Sequence, residues 1–374
     1  MAVHFASALL PDGWVHNVRV EIAAGRFESF ERDVPPRAGD ERAMVALPGV
    51  CNVHSHAFQR GMAGLTEYRG PEADNFWSWR TLMYRFVARM TPEDIGAITA
   101  QAYVEMLEGG FTRVGEFHYV HHDPEGEPYA NPAETAVQVA AAAARTGIGL
   151  TLLPVFYAHG GFDGQSPNAG QRRFVTSLDG YARLLNASRK LMNSLEGATL
   201  GVAPHSLRAV TPEELVQIVA LGGSGPIHIH AAEQIGEVEQ CLAWSGARPV
   251  QWLLEHAAVD RRWCLVHATH MTDEECRGLA ARGAVAGLCP ITEANLGDGI
   301  FPGPAFLGAG GEFGIGTDSN ISISVADELQ QLEYSQRLRD RARNVIGGSD
   351  ARSTGRVLFD SAVRGGAQAL GIDG

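Results

Sequence analysis

The chain has 374 residues, 45% hydrophobic and 20% charged, ordinary proportions for a soluble globular protein long enough to bury one large core or two smaller ones. Its 30 basic and 43 acidic residues give a formal charge of −13, which argues against a nucleic-acid or anionic-membrane surface. A small anionic substrate is not excluded, because a few local arginines outweigh a diffuse negative field.

The N-terminal MAVHFASALLPDGW lacks the basic start and long apolar core of a signal peptide. Residues 1–46 alternate in short runs punctuated by turns (LLPDGWVHNVRVEI, then GRFESFE), which predicts a small β-domain segment outside the main domain. From Leu47 to the end at residue 374 the pattern changes to apolar strands alternating with longer helical stretches. The predicted strands are LPGVCNVHSH, FTRVGEFHYV, GLTLLPVFYAH, ATLGVAPHSL, PIHIHAAE, WCLVHATH, AVAGLCPITE and FGIGTDSN. The Ala-rich run from Val137 to Phe156 is interrupted by Arg145 and two glycines, so it reads as a helix followed by a strand and no membrane span is expected.

Helix starts are marked at Thr91-Pro-Glu-Asp94, Thr211-Pro-Glu-Glu214 and Thr272-Asp-Glu-Glu275, each a capping threonine with acid in the first turn. Eight strands alternating with helices point to an α/β fold, a parallel (β/α)₈ TIM-type barrel. The doubly wound open sheet is the alternative, but no GxGxxG follows an early strand. The five cysteines (Cys51, Cys241, Cys264, Cys276 and Cys289) are scattered without a CxxC pair, which fits reduced thiols in the cytoplasm.

A barrel of this kind gathers its chemistry at the C-terminal ends of the strands. Strand one ends in His54 and His56, strand four in His205 with Arg208 beyond, and strand five in His228, His230 and Glu233. Strand six ends in His267 and His270, and strand eight in Asp318. Alternate strand residues share a face, so His54 and His56 project together. With His230 and Asp318 they offer three imidazoles and a carboxylate, a set suited to zinc or a similar divalent ion with an open position for water. Such an ion brings its water's pKa to about 7. Glu233, three residues past His230, can approach that water without ligating and is a candidate proton shuttle. His228 shares the face of His230, so spacing leaves open which of them ligates, although His228 lies deeper. His267 is better placed for the strand end than His270, which is expected to cap the following loop.

HSH after strand one, HAAE after strand five, VHATH after strand six and GTDSN after strand eight resemble the amidohydrolase superfamily. The absence of a bridging lysine from VAPHSLRAV narrows the resemblance to its single-metal deaminase branch. NVHSHAFQRGMAGLTE, HIHAAEQ, WCLVHATHMT and GLCPITEANLGDGIFP are similar to the N-formimino-L-glutamate deiminase family within that branch, and the match spans essentially the whole chain.

The resemblance implies hydrolytic deimination of N-formimino-L-glutamate to N-formyl-L-glutamate and ammonia in histidine degradation, by a cytoplasmic homodimer with one divalent metal ion, Zn²⁺. It implies metal ligands at His54, His56, His230 and Asp318, catalysis by Glu233, His267 and Asp318, and substrate binding by Gln59, Arg80, Tyr119, His205 and Arg208. In the implied reaction Asp318 takes a proton from the attacking water. Glu233 protonates the departing nitrogen, and His267 orients the nucleophile or steadies the tetrahedral intermediate.

The residues themselves support part of this assignment. A substrate with two carboxylates needs fixed positive donors such as guanidinium groups. Arg208 stands beside the strand-four histidine, and Arg80 lies in the aromatic-rich DNFWSWRTLMYRF after strand one, where it could reach over the barrel mouth. A guanine- or cytosine-type ring deaminase would have little use for either. A non-catalytic binding relative would be expected to have lost a ligand or the acid–base pair, and none is missing. His118, His121 and His122 acquire no role.

The family usually has Thr where Ile291 stands and Ser where Thr317 stands. The chain stops at QALGIDG, where family members continue into a segment returning to the small N-terminal domain, so residues 1–46 are expected without those partner strands.

Overall fold

The structure is a computed structural model that describes residues 1–69, 74–348 and 353–372. By its internal contacts the chain divides into two compact units, Met1–Gly49 and Val50–Gly374.

The first unit is a four-stranded sheet of β1 (Ala2–Leu10), β2 (Gly13–Ala23), β3 (Arg26–Glu31) and β4 (Glu41–Ala46), in the order β3-β2-β1-β4. Only β1–β4 is parallel; the other two pairs are antiparallel. Ala8, Val18 and Val20 form its small core.

In the second unit the strands are β5 (Val50–Ser55), β6 (Phe111–His118), β7 (Gly149–Phe156), β8 (Thr199–Leu200), β9 (Ala203–Pro204), β10 (Ile227–Ala231), β11 (Trp263–His267), β12 (Val285–Leu288) and β13 (Glu312–Ile315). They pair in parallel in the order β10-β11-β12-β13-β5-β6-β7-β8, with β9 also on β7. Bridges from Val202 to Ile227 and from Ser206 to His230 connect the fourth strand position to the fifth, so the curled sheet meets itself as the alternation predicts.

The crossovers carry α1 (Phe76–Val87), α2 (Pro92–Glu108), α3 (Glu134–Thr146), α4 (Leu178–Met192), α5 (Pro212–Leu221) and α6 (Ile235–Ser245). Beyond them come α7 (Pro249–His256), α8 (Asp273–Ala281), α9 (Pro290–Leu296), α10 (Gly303–Gly308), α11 (Val325–Asp340) and α12 (Thr354–Ala369). Thr91, Thr211 and Thr272 each cap a helix in a reciprocal capping box, satisfying N–H groups that the first turn leaves without partners.

Two stretches depart from the sequence expectation. The predicted fourth strand, residues 198–207, is broken into β8 and β9. Pro204 has no N–H for a ladder, and Gly201 passes so close to Pro226 that a Cβ would lie 2.5 Å from its carbonyl oxygen. In AVAGLCPITE only Val285–Leu288 is strand. Pro290 opens α9, which suits the first helical position because it has no N–H to lose.

The C-terminal ends of the barrel strands carry polar side chains, whereas α12 packs against their N-terminal ends. Gly365 and Gly366 let that helix lie directly on β13 and β5: a Cβ on Gly365 would stand 2.0 Å from the Phe313 carbonyl oxygen. Leu370 O accepts from the Thr151 hydroxyl, and Ala369 O accepts from His228 Nε2 at 2.7 Å. His228 is therefore a floor residue, and burial pulls its pKa down to about 4.

Candidate metal centre

Three strand ends bring four side chains to one point. His54 Nε2 lies 3.2 Å from His56 Nε2 and 3.1 Å from His230 Nε2. Asp318 Oδ1 lies 3.4 Å from His54 Nε2 and 3.3 Å from His56 Nε2. A tetrahedral zinc site with arms of about 2.0–2.1 Å separates its ligands by roughly 3.4 Å, so the spacing fits such an ion. The hydrogen bonds on the far side of the rings agree. His56 Nδ1 donates to Phe117 O and His230 Nδ1 donates to His205 O, both at 2.9 Å, which fixes the neutral tautomers with Nε2 lone pairs facing inward. Converging lone pairs beside a carboxylate repel one another unless an electrophile sits between them. Burial, and for His54 and His230 the neighbouring imidazoles, hold all three pKa values below the usual histidine range.

The backbone is strained where it delivers these groups. His267 (φ 67°), Asp318 (φ 45°) and Ala232 (φ 53°), which precedes Glu233, all take left-handed conformations that non-glycine residues rarely adopt. Surrounding hydrogen bonds hold them there. The N–H groups of Thr317 and Asp318 both donate to His54 O, and His56 N donates to Asp318 O. Asn320 Nδ2 reaches Ser55 Oγ, His56 O and Asp318 O. Gly316 permits this close approach, since a Cβ there would stand 2.8 Å from His54 N. The Thr317 hydroxyl accepts from Asn52 Nδ2 at 2.7 Å and donates to Asn320 Oδ1, so threonine supplies the same hydroxyl as the serine usual in the family.

Glu233 and His267 flank the cluster. Glu233 Oε1 is 3.8 Å from His267 Nε2, and His267 Nε2 is 3.9 Å from Asp318 Oδ2. Burial pushes the Glu233 carboxyl up to about 7, against the pull of His267 and Arg208. For His267 burial opposes a charge, but Glu233, Glu293 and Asp318 outweigh it and push the imidazole up to about 10.

The substrate residues expected from sequence also meet. Gln59, Arg80, Tyr119, His205 and Arg208 all line one cavity, together with His56, His230, Glu233, His267 and Asp318. Gln59 Nε2 donates to the Tyr119 hydroxyl at 2.8 Å. Arg208 is buried, yet its Nε and Nη1 have no hydrogen-bond partner among the described residues. Tyr157 and Phe174 complete the wall.

Other histidines are accounted for structurally. His118 Nε2 donates to the Thr135 hydroxyl, His121 Nε2 to Val155 O, and His122 Nε2 to Val175 O. His270 Nε2 donates to Asp298 O at 2.8 Å, in the loop after its strand. Spacing did not point to three buried carboxylates: Glu293, which accepts from His267 Nδ1 at 3.3 Å; Glu237, which accepts from Glu233 N at 3.0 Å; and Glu116, which accepts from Ala57 N at 2.8 Å. Only Glu237 left a local trace, as the fourth residue after Glu233 on the helix it starts.

A sequence profile described as "Amidohydrolase family" matches residues 45–374, and one described as "Formimidoylglutamate deiminase HutF, N-terminal domain" matches residues 1–44. The chain is 54% identical over 372 residues to the formimidoylglutamate deiminase of Pseudomonas aeruginosa, covering 99% of this chain and 82% of that one. It is 29% identical to a 5-methylthioadenosine/S-adenosylhomocysteine deaminase of Natronomonas pharaonis, over 90% of this chain and 71% of that one. Among solved structures, an amidohydrolase from Brucella melitensis superposes with a TM-score of 0.97 at 59% identity, covering 99% of this chain and 82% of the other. By barrel, strand-end His/Asp cluster and sequence alike, the chain belongs to the amidohydrolase family.

Proposed function

We propose that the protein is a formimidoylglutamate deiminase, hydrolysing N-formimino-L-glutamate to N-formyl-L-glutamate and ammonia in histidine degradation. The relative of that name and the matching N-terminal profile support the reading. The observation that carries the substrate is Arg208, a buried guanidinium with unpartnered N–H groups lining the cavity beside the metal cluster. A buried cation with free donors is costly until an anion meets it, and a carboxylate does so with charge-assisted hydrogen bonds. Arg80, on the same cavity wall, provides for the substrate's second carboxylate.

A single zinc ion held by His54, His56, His230 and Asp318 would acidify a water and polarise the substrate's C=N bond. The chain's own residues then move the protons. Asp318 accepts one from the attacking water. Glu233, with its carboxyl near 7, passes a proton to the substrate nitrogen that departs as ammonia. His267 holds the attacking oxygen in line and steadies the charge that develops on it. Gln59, Tyr119 and His205, which line the same cavity, fix the substrate's polar backbone.

The thiols of all five cysteines are free and buried, consistent with a reducing cytoplasm, and the family resemblance implies a homodimer. Among the described residues no helix is long and apolar enough to cross a membrane.

Ammonia release from N-formimino-L-glutamate by zinc-loaded protein tests the reading. Arg208→Ala should raise KM at least tenfold, and Glu233→Gln should lower kcat by about 10²–10⁴-fold with little change in KM. Turnover of a purine or pyrimidine, with none of the formimino substrate, would replace this function with ring deamination.

A further inference from the structure

The two arginines of the cavity share a feature beyond their charge. The Arg80 guanidinium carbon lies 4.4 Å from the centroid of the Trp77 ring, and that of Arg208 lies 5.9 Å from the same ring. Arg80 is three residues beyond Trp77 on α1, so this stacking follows from helical spacing. Arg208 comes from the loop after β9, more than a hundred residues along the chain, and its meeting with Trp77 is a tertiary one.

Two guanidiniums turned into one cavity repel each other. Among the described residues neither forms an ion pair, although Glu233 and Glu237 lie close enough to act on Arg208. The cavity they share is lined by the aromatic Phe76, Trp79, Tyr84, Tyr157 and Phe174, of which Phe76 and Tyr84 also approach Arg80 at 5.9 and 5.7 Å. The negative face of an aromatic ring attracts a cation without neutralising it, unlike a carboxylate. The indole is itself held. Asn75 caps α1 by accepting from Trp77 N and Ser78 N in a reciprocal box, so Trp77 sits in a fixed first turn. Its Cζ2 edge lies 3.9 Å from where a Cβ on Gly236 would stand, against the first turn of α6. Trp77 thus stands between its own helix α1 and the first turn of α6.

We propose that Trp77 is a specificity-determining positioning residue: its indole holds Arg80 and Arg208 at a set separation, making them a clamp for a five-carbon dicarboxylate. The clamp leaves the donors of the buried Arg208 free and holds the half-buried Arg80 at the same ring, so both guanidiniums can turn to the ligand. Shorter dicarboxylates then bridge the pair badly, and monocarboxylates use half of it. The substrate assignment above is the reading on which this rests, but the clamp can be measured without turnover.

The experiment is calorimetric titration of the zinc-loaded protein with glutarate, succinate and butyrate, for wild type, Trp77→Phe and Trp77→Leu, alongside steady-state kinetics on N-formimino-L-glutamate. Leucine keeps apolar packing and loses the aromatic face, whereas phenylalanine keeps both at smaller size. Wild type is expected to bind glutarate at least tenfold tighter than succinate or butyrate. Trp77→Leu should lose at least tenfold in glutarate affinity and most of the discrimination, with KM rising in parallel and kcat within threefold. Trp77→Phe should stay within threefold of wild type.

Equal glutarate binding by wild type and Trp77→Leu overturns the proposal. So does an equal loss in both variants, which would mean packing alone matters, and so does a wild type that does not prefer glutarate. A wild type that binds glutarate selectively but releases no ammonia from the formimino substrate would remove the proposed function and leave the clamp standing.

Discussion

His267 owes its orientation to a residue 26 positions later in the chain. Its Nδ1 donates to Glu293 Oε1, the same oxygen that accepts from Cys289 N at 2.8 Å. The bond aims Nε2 at the space between Glu233 and Asp318, and removal of such an orienting partner typically costs 10–100-fold in activity. Glu293→Gln keeps an acceptor for Nδ1 but removes the charge that favours imidazolium. Its kcat should fall by about ten- to a hundredfold, with KM little changed and the alkaline limb of the kcat–pH profile moved to lower pH. An unchanged profile in a folded variant would show that Glu293 serves only the Cys289 N–H. The cluster of His54, His56, His230 and Asp318 was legible in the sequence because each stands at the end of an apolar strand. Glu293 was not, because its helix lies where the pattern read as strand, and a contact across 26 residues becomes visible only once the topology is known.

At the scale of elements, Glu116 shows how neighbouring strands are coupled. It sits on β6 and accepts from Ala57 N at 2.8 Å and from the Tyr103 hydroxyl at 3.3 Å, tying β6 to the helical turn Ala57–Met62 that carries Gln59 and to α2. Burial pushes its carboxyl up to about 8. An acid whose folded pKa is raised is fully accommodated below its unfolded value of about 4.5 and destabilises progressively as pH rises toward 8. Glu116→Gln should therefore gain in Tm relative to wild type as pH increases from 5 to 8, measured by thermal melts of metal-free protein. A difference independent of pH would place the ionised form in the fold. The broken fourth strand belongs to this scale too. Its alternating pattern was readable, but the near contact of Gly201 with Pro226 and the missing N–H of Pro204 end the ladder early. The three threonine caps, by contrast, were read correctly because a capping box is complete within four residues.

Over the whole molecule, buried titratable groups set an optimum pH. Burial lowers the pKa of eight imidazoles: His54, His56, His118, His121, His122, His205, His228 and His230. A depressed base gives stability that is present above its unfolded pKa of about 6.5 and lost as pH falls below it. Burial raises Glu116, Glu233, Asp298 and Glu328, which weaken the fold as pH rises above their unfolded values of about 4, and the nearby carboxylates raise His267 despite burial, whose contribution is lost as pH rises above about 6.5. Metal-free protein should accordingly show a bell-shaped Tm profile with its maximum at about pH 6.5–7. Stoichiometric zinc should raise Tm at pH 7 and by a similar amount at pH 5.5, because the lowered pKa values of His54, His56 and His230 keep their Nε2 lone pairs free of protons in the fold. A zinc increment that disappears at pH 5.5 would mean that the ion is held by imidazoles titrating in the ordinary range.

The closure of β13 on β5 has a consequence in time. Ile315 pairs with Asn52, and Asp318 meets His54 and His56, so the first and last contributors to the cluster are separated by most of the chain. At a synthesis rate of about 5–20 residues per second, His54 leaves the ribosome on the order of ten seconds to a minute before Asp318. Throughout that interval the HSH segment is a loose pair of imidazoles with no carboxylate opposite. Nascent chains arrested before Asp318 emerges should release zinc readily to a chelator, and chains extended past α12 should retain it. Metal loading would then be among the last events in the protein's birth.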